Sequence, residues 1–200
     1  MAARQRHESG RVDDVSNDPV AEALAKDVDA GFADLYGAYQ RLVFSVTLRL
    51  SGRRADAEDL TAEAFLRAFR ALLGYDTDRV RALRTRAWLM TIVMNVWRNH
   101  QRTMARKPPP GDIDAAPEPV DGAESVEAAA ERHDTAGRLA GLLARLPDPQ
   151  REAIVLRHVV DLPVGDIASI LGMAEGTVRS HISRGLSRLR TDAVTQGGLS

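Results

Sequence analysis

The residues best suited to chemistry stand near the end of the chain, in GTVRSHISRGLSRLR, residues 176–190. Four arginines and no acid fall within those fifteen residues. Val178, Ile182, Leu186 and Leu189 recur at helical spacing, and at about 100° per residue they share one side of a helix. The other side shows Thr177, Ser180, Ser183, Arg184 and Ser187, flanked by Arg179 and Arg188, with His181 beside them. Small hydroxyls let a helix lie deep in a groove, and arginine makes bidentate bonds to guanine or charge-assisted bonds to phosphate. The chemistry is recognition of DNA in its major groove rather than bond making. Arg and Ser also decorate ordinary solvated helices, so the preceding residues decide. Val164–Leu171 reads as a short helix, Gly172 as a turn, and Ile167, Leu171, Val178 and Ile182 as the small core between two crossing helices. Ala168 leaves room for the close crossing. Together these make a helix-turn-helix.

Two other groups carry charge in a pattern. In DAEDLTAEAFLRAFRAL, residues 56–72, acids precede arginines, as a helix dipole favours. Asp56, Glu58, Asp59 and Glu63 stand out there, around an apolar stripe of Leu60, Ala64, Ala68 and Leu72 with Phe65 and Phe69 beside it. Residues 79–107 hold seven Arg, one Lys and no acid, whereas residues 108–134 hold eight acids against Arg132 alone. The formal net charge of −1 therefore conceals strong segregation, and a polyanionic partner remains compatible with it. Within the basic stretch, Trp88, Leu89, Ile92, Val93 and Val96 face inward. Thr91, Asn95, Arg98, Asn99 and Arg102 lie on or beside the opposite face.

Nothing supports catalysis. The five His are scattered, Cys is absent, and no nucleophile–base pair or glycine-rich phosphate loop is visible. Absence of Cys excludes disulfides and thiolate zinc sites, and His181 has no second ligand at a useful spacing. No cofactor or metal is expected, no signal peptide or membrane span is seen, and a cytoplasmic location is expected.

The elements that must position these residues are all helical; no strand signal rises above noise. Residues 1–24 read as a polar, disordered tail. Residues 25–105 read as one domain, with helices over 30–50, 56–73 and 85–102. Residues 106–134 hold a proline-containing acidic linker. Residues 135–192 read as a second domain, in which Asp148 is the expected N-cap and Pro149 the first residue of a helix. Residues 193–200 are a short tail. The expected fold class is all-α: two small helical domains joined by a flexible acidic linker. In the free chain these domains either float independently or dock.

The chain resembles the sigma factors of bacterial RNA polymerase, in the sigma-70 family's short extracytoplasmic-function (ECF) group. DAEDLTAEAFLRAFRAL is similar to that family's region two, RAWLMTIVMNVWRNHQR to the end of region two, and LPDPQREAIVLRHVVDLPVGDIASILGMAEGTVRSHISRGLSRLR to region four. The resemblance implies a first domain that binds the clamp helices of the polymerase's largest subunit and opens the promoter at the −10 element. It implies a second domain that binds the flap of the second-largest subunit and reads the −35 element. The clamp-binding motif carries over to Asp56, Glu58, Asp59, Leu60, Glu63 and Phe65, with Ala62 where the family usually has Gln. The alternatives stay open: helix capping for Asp56 and Asp59, core packing for Leu60 and Phe65. Asn95 matches the family's loop position at which a promoter base is flipped, with Arg98, Asn99 and Arg102 following on the next helix to hold strand or phosphates. Trp88 matches a core tryptophan; Trp97 either packs or stacks on a base. Thr177, Arg179, Ser180, Ser183 and Arg184 fall on the −35-reading face, with His181 replacing a usual Arg or Lys. Many relatives are held inactive by an anti-sigma protein, which no residue here identifies. The runner-up is a helix-turn-helix regulator of the response-regulator type, which the first domain's pattern does not fit. An interaction protein that does not read DNA is a third reading, opposed by the basic stretch.

Overall fold

The computed structural model describes residues 18–106 and 139–197. Among the described residues every regular element is a helix. The first lobe holds α1 (Pro19–Lys26), α2 (Val28–Ser51), α3 (Arg54–Leu72), α4 (Thr77–Arg81) and α5 (Thr85–Met104). The second holds helical residues 139–144 (α6), then α7 (Asp148–His158), α8 (Val164–Leu171) and α9 (Glu175–Gly197). Most of the expected linker, and the chain before residue 18, lie outside the described residues.

In the first lobe α3 packs on α2 and α5, while α1 and α4 close one end. The stripe predicted for α3 is its buried side: Leu60, Ala64 and Ala68 are buried in one cluster with Val43, Val46 and Leu50 of α2 and Leu89, Val93 and Val96 of α5, while Leu72 is buried in a second with Leu24, Leu35 and Val80. Trp88 packs as expected, at the edge of a smaller cluster with Tyr75, Leu83 and Val80.

The start of the chain corrects one expectation. Residues 18–26 are not tail: α1 buries Ala21 and Leu24 against α2. The apolar stripe is only two residues long, too short to register as periodicity, and the helix is fixed instead by a cap. Asp18 accepts from the amides of Val20 and Ala21 at 3.1 and 3.4 Å.

In the second lobe α8 has the bounds read from the sequence, and Gly172 ends it at φ 66°, the left-handed conformation that glycine adopts without penalty. Ile167 and Val178 are wholly buried between α8 and α9, with Leu171 and Ile182 beside them. The entry to α7 differs by one residue: Pro147 is the N-cap, and Asp148 begins the helix and pairs with Arg151 instead of capping.

The two lobes are docked. α7 lies on α2 and α8 on α5, and the apolar residues of both lobes form one continuous cluster that includes Leu143, Leu146 and Ile154. Trp97 sits in this seam at 6% exposed, stacked on His100 with ring centroids 5.8 Å apart and with the Arg151 guanidinium 5.6 Å from its ring. Packing is thus the role this structure gives Trp97.

Candidate nucleic-acid interface

On α9 the expected face is open. Thr177, Arg179, Ser180, Ser183 and Arg184 are exposed, while Val178 on the opposite side is buried. The helix is held against α7 by a close crossing: a Cβ placed on Gly185 would lie 2.5 Å from Ile154 Cδ1. Ser180 Oγ donates to the Gly176 carbonyl at 2.9 Å, and Arg184 Nε donates to the Ser180 carbonyl at 3.2 Å. Arg179 is paired with Glu175 at 2.6 Å. Both partners are exposed, so the pair is weak and a phosphate can displace the carboxylate. His181 is half-buried on the shoulder of the face, with Nδ1 enclosed and unbonded.

The second candidate group is on α5. Asn95 does not stand in a loop, as the resemblance implied. It lies inside the continuous helix Thr85–Met104, with Arg98, Asn99 and Arg102 on that same helix. No glycine or proline interrupts residues 85–104, so nothing in the sequence breaks the helix there. Irregular chain lies instead at residues 73–76 and 82–84, on either side of α4. Asn95, Asn99 and Arg102 are exposed, and with Arg98, Gln101 and Arg67 they line an open cleft of about 560 Å³. Arg67 comes from α3, one position before the buried Ala68, and packing of α3 on α5 brings it to the cleft. Its place beside the apolar stripe was readable; its juxtaposition with α5 was not. Arg67 is also paired with Glu63 at 2.6 Å.

The acidic group on α3 divides by burial. Leu60 and Phe65 are each 4% exposed, inside the core, as the packing alternative had them. Phe65 meets Tyr36 with centroids 4.8 Å apart and Phe32 edge-on. The capping alternative fails, because the N-cap of α3 is Arg53 and no side chain bonds there. Asp56 pairs with Arg53 at 3.7 Å, Glu58 with Arg54 at 2.8 Å and Glu63 with Arg67. Asp59 is exposed and has no ion pair among the described residues. Beside it, one and two turns on, Ala62 and Leu66 are exposed, and Tyr36 on α2 is 45% exposed. Leu66 and Tyr36 were missed from sequence; an apolar residue off the stripe was the available signal.

Glu152 on α7 is the one described carboxyl with a clear displacement. Burial pushes it above the usual carboxylate range, and Arg98 and Arg151 pull it partly back. Among the described residues no three His, Cys, Asp or Glu gather to hold a metal, and no helix is long and apolar enough to cross a membrane.

Two family descriptions match the chain: Sigma-70 region 2 over residues 35–107, and Sigma-70, region 4, over residues 136–189. The ECF RNA polymerase sigma-E factor of Escherichia coli is 32% identical over 177 residues, covering 82% of this chain and 87% of that protein. The ECF RNA polymerase sigma factor SigE of Mycolicibacterium smegmatis is 34% identical over 152 residues, covering 74% of this chain and 56% of that longer protein. In fold, the chain is similar to the sigma factor RpoE in its complex with the anti-sigma factor NepR from Bartonella quintana. The TM-score is 0.63 at 24% identity, over 80% of this chain and 94% of that one.

Proposed function

This chain belongs to the sigma-70 family, in its ECF group, whose members direct promoter-specific initiation by RNA polymerase, and we propose how its own residues divide that work. Sigma factors are initiation factors rather than catalysts, and the chemistry of RNA synthesis is left here to the polymerase. α9 enters the major groove of the −35 element with Thr177, Ser180 and Ser183 against base edges and Arg179 and Arg184 on guanine or phosphate; His181 flanks them. Asn95, Asn99 and Arg102, with Arg98 and Arg67, take the melted −10 strand across the cleft on α5. On α3, Asp59 meets the clamp helices of the polymerase's largest subunit, with Glu58, Asp56 and Glu63 adding negative field. Leu60 and Phe65 hold that helix in place from inside. The second lobe also meets the flap of the second-largest subunit. The protein works in the cytoplasm, at the nucleoid when bound to polymerase.

The observation that carries the reading is the α9 face: a run of hydroxyls and arginines fully open on a helix whose other side is locked into a helix-turn-helix core. The test is run-off transcription from genomic fragments with purified bacterial core polymerase. Specific transcripts should require the protein. Arg179→Ala with Arg184→Ala should lower them at least tenfold, each lost contact being worth about 1–3 kcal/mol. Asp59→Arg should weaken binding to core polymerase without touching DNA contacts. No binding to core and no transcripts would leave a conventional regulator as the better account.

A further inference from the structure

Two arginines flank the hydroxyls of the open α9 face, and their surroundings differ. Arg179 Nη2 donates to Glu175 Oε2 at 2.6 Å, one turn back on the same helix. Arg184 donates from Nε to the Ser180 carbonyl and pairs with no acid among the described residues. Arg184 therefore presents its full charge to a duplex, whereas Arg179 arrives already neutralised.

The acid has a defined seat. Glu175 is the first residue of α9, where the helix dipole favours a carboxylate. Its Oε1 faces the first turn of α8: a Cβ on Gly165 would lie 3.4 Å from it. Glycine inside a helix is destabilising, yet here it leaves the carboxylate room, because a longer side chain at 165 would reach the space that Oε1 occupies. Glu175 and Arg179 are each more than half exposed, so their pair adds little to folding. Its effect falls on what Arg179 can bind.

A phosphate must either displace Glu175 or share the guanidinium with it. Displacement exchanges one anion for another and leaves a bare carboxylate beside the DNA backbone, so phosphate gains little. A guanine edge makes no such demand. Its O6 and N7 are neutral acceptors, and the carboxylate takes only one of the guanidinium's N–H donors, on Nη2. The remaining donors stay available on a side chain that Glu175 already restrains. Small neighbours leave them in the open: a Cβ on Gly176 would have nothing within 4 Å, and Ser180 and Ser183 are exposed.

We propose that Glu175 is a specificity-determining residue of −35 reading: by neutralising and orienting Arg179 it turns a phosphate contact into a reader of guanine. The proposal rests on the reading of α9 as the −35 helix and deepens it, since it assigns Arg179 to a base edge. Glu175 acts through Arg179 and is a positioning residue.

The test uses holoenzyme, assembled from bacterial core polymerase and the full chain, and a pool of duplexes randomised across the −35 element. Wild type should enrich guanine at a position where Arg179→Ala enriches none. Glu175→Gln keeps an acceptor oxygen but no charge. It should bind the unselected pool several-fold more tightly, with a salt dependence steeper by about one phosphate, and its preference for that guanine should fall several-fold. In an Arg179→Ala background the same change should move both quantities far less, a non-additivity that a merely structural role would not produce. Wild-type guanine preference and salt slope in Glu175→Gln, equal effects of that change with and without Arg179, or an Arg179→Ala pattern identical to wild type would each overturn the proposal. A wild-type holoenzyme that enriches no −35 sequence at all would overturn the promoter reading of α9, and the proposal with it.

Discussion

Asp18 holds the ends of two helices at once. One oxygen caps α1; the other accepts from Thr85 N at 3.0 Å and Thr85 Oγ1 at 2.5 Å, at the start of α5. The N-cap of α5, Arg84, makes no cap bond of its own, so a residue far away in sequence supplies it. Thr85 is fully buried and also bonds Tyr39 Oη at 3.1 Å. Asp18→Ala should therefore lower stability by about 2–3 kcal/mol, as two caps at ~1 kcal/mol each plus a buried hydroxyl left short of a partner. Asp18→Asn should recover about half, since its amide keeps one acceptor oxygen. Urea unfolding of the three proteins checks this; an Ala variant as stable as wild type would refute it. Gly185 makes a different prediction at the same scale. Gly185→Ala sets a methyl against Ile154 Cδ1, and overpacking of this kind costs about 1–3 kcal/mol. Ile154→Val removes that atom, so the double variant should be less destabilised than the two single changes summed.

At the scale of elements, α7 carries a pH response. Glu152 faces Arg98 from α5, and Asp148 and Arg151 from its own helix. Its native pKa is raised, chiefly by burial, so the folded chain keeps this proton to higher pH than the unfolded chain does. Stability from this group is therefore fully present below the ordinary carboxylate pKa and is lost as pH climbs from there through the raised value. Thermal unfolding across mildly acidic pH should show the slope, and Glu152→Gln should flatten it; an unchanged slope would exclude this origin. For α9 the matching expectation concerns salt. Replacing Arg184 by Ala should reduce the dependence of holoenzyme–DNA affinity on salt by about one phosphate if it contacts the backbone. If instead it reads a base, the salt slope stays and discrimination at one position relaxes.

For the whole molecule, the joined core predicts cooperativity. Apolar contacts run without a break from Leu89 and Val93 through Trp97 to Leu143 and Ile154. Wild-type protein should then melt in one calorimetric transition, and Asp166→Arg, which loses the pair made with Arg84 across the lobes, should split it into two as they uncouple. A single unchanged transition in the variant would show that the apolar seam alone holds the lobes.

How much was legible follows the range of the interactions. Local signals gave the class, the helix-turn-helix with its Gly172 turn, the buried stripe of α3 and the open face of α9, because periodicity, caps and turns are set by neighbours a few residues apart. The family, too, was carried by local motifs in order. Contacts between distant residues lay beyond that reach. Asp18 was lost in an apparent tail because its second partner is Thr85. Leu60 and Phe65 were left between polymerase binding and core packing, and only the packed structure shows them enclosed. Asn95 was assigned to a loop by resemblance where the helix simply continues. Trp97 was left between packing and stacking, and Arg98 was read only as a strand or phosphate contact, because their partners on α7 and α8 are far away in sequence. A side chain's type and spacing determine what it can bond; only the approach of helices separated by tens of residues decides which of its possible partners arrives.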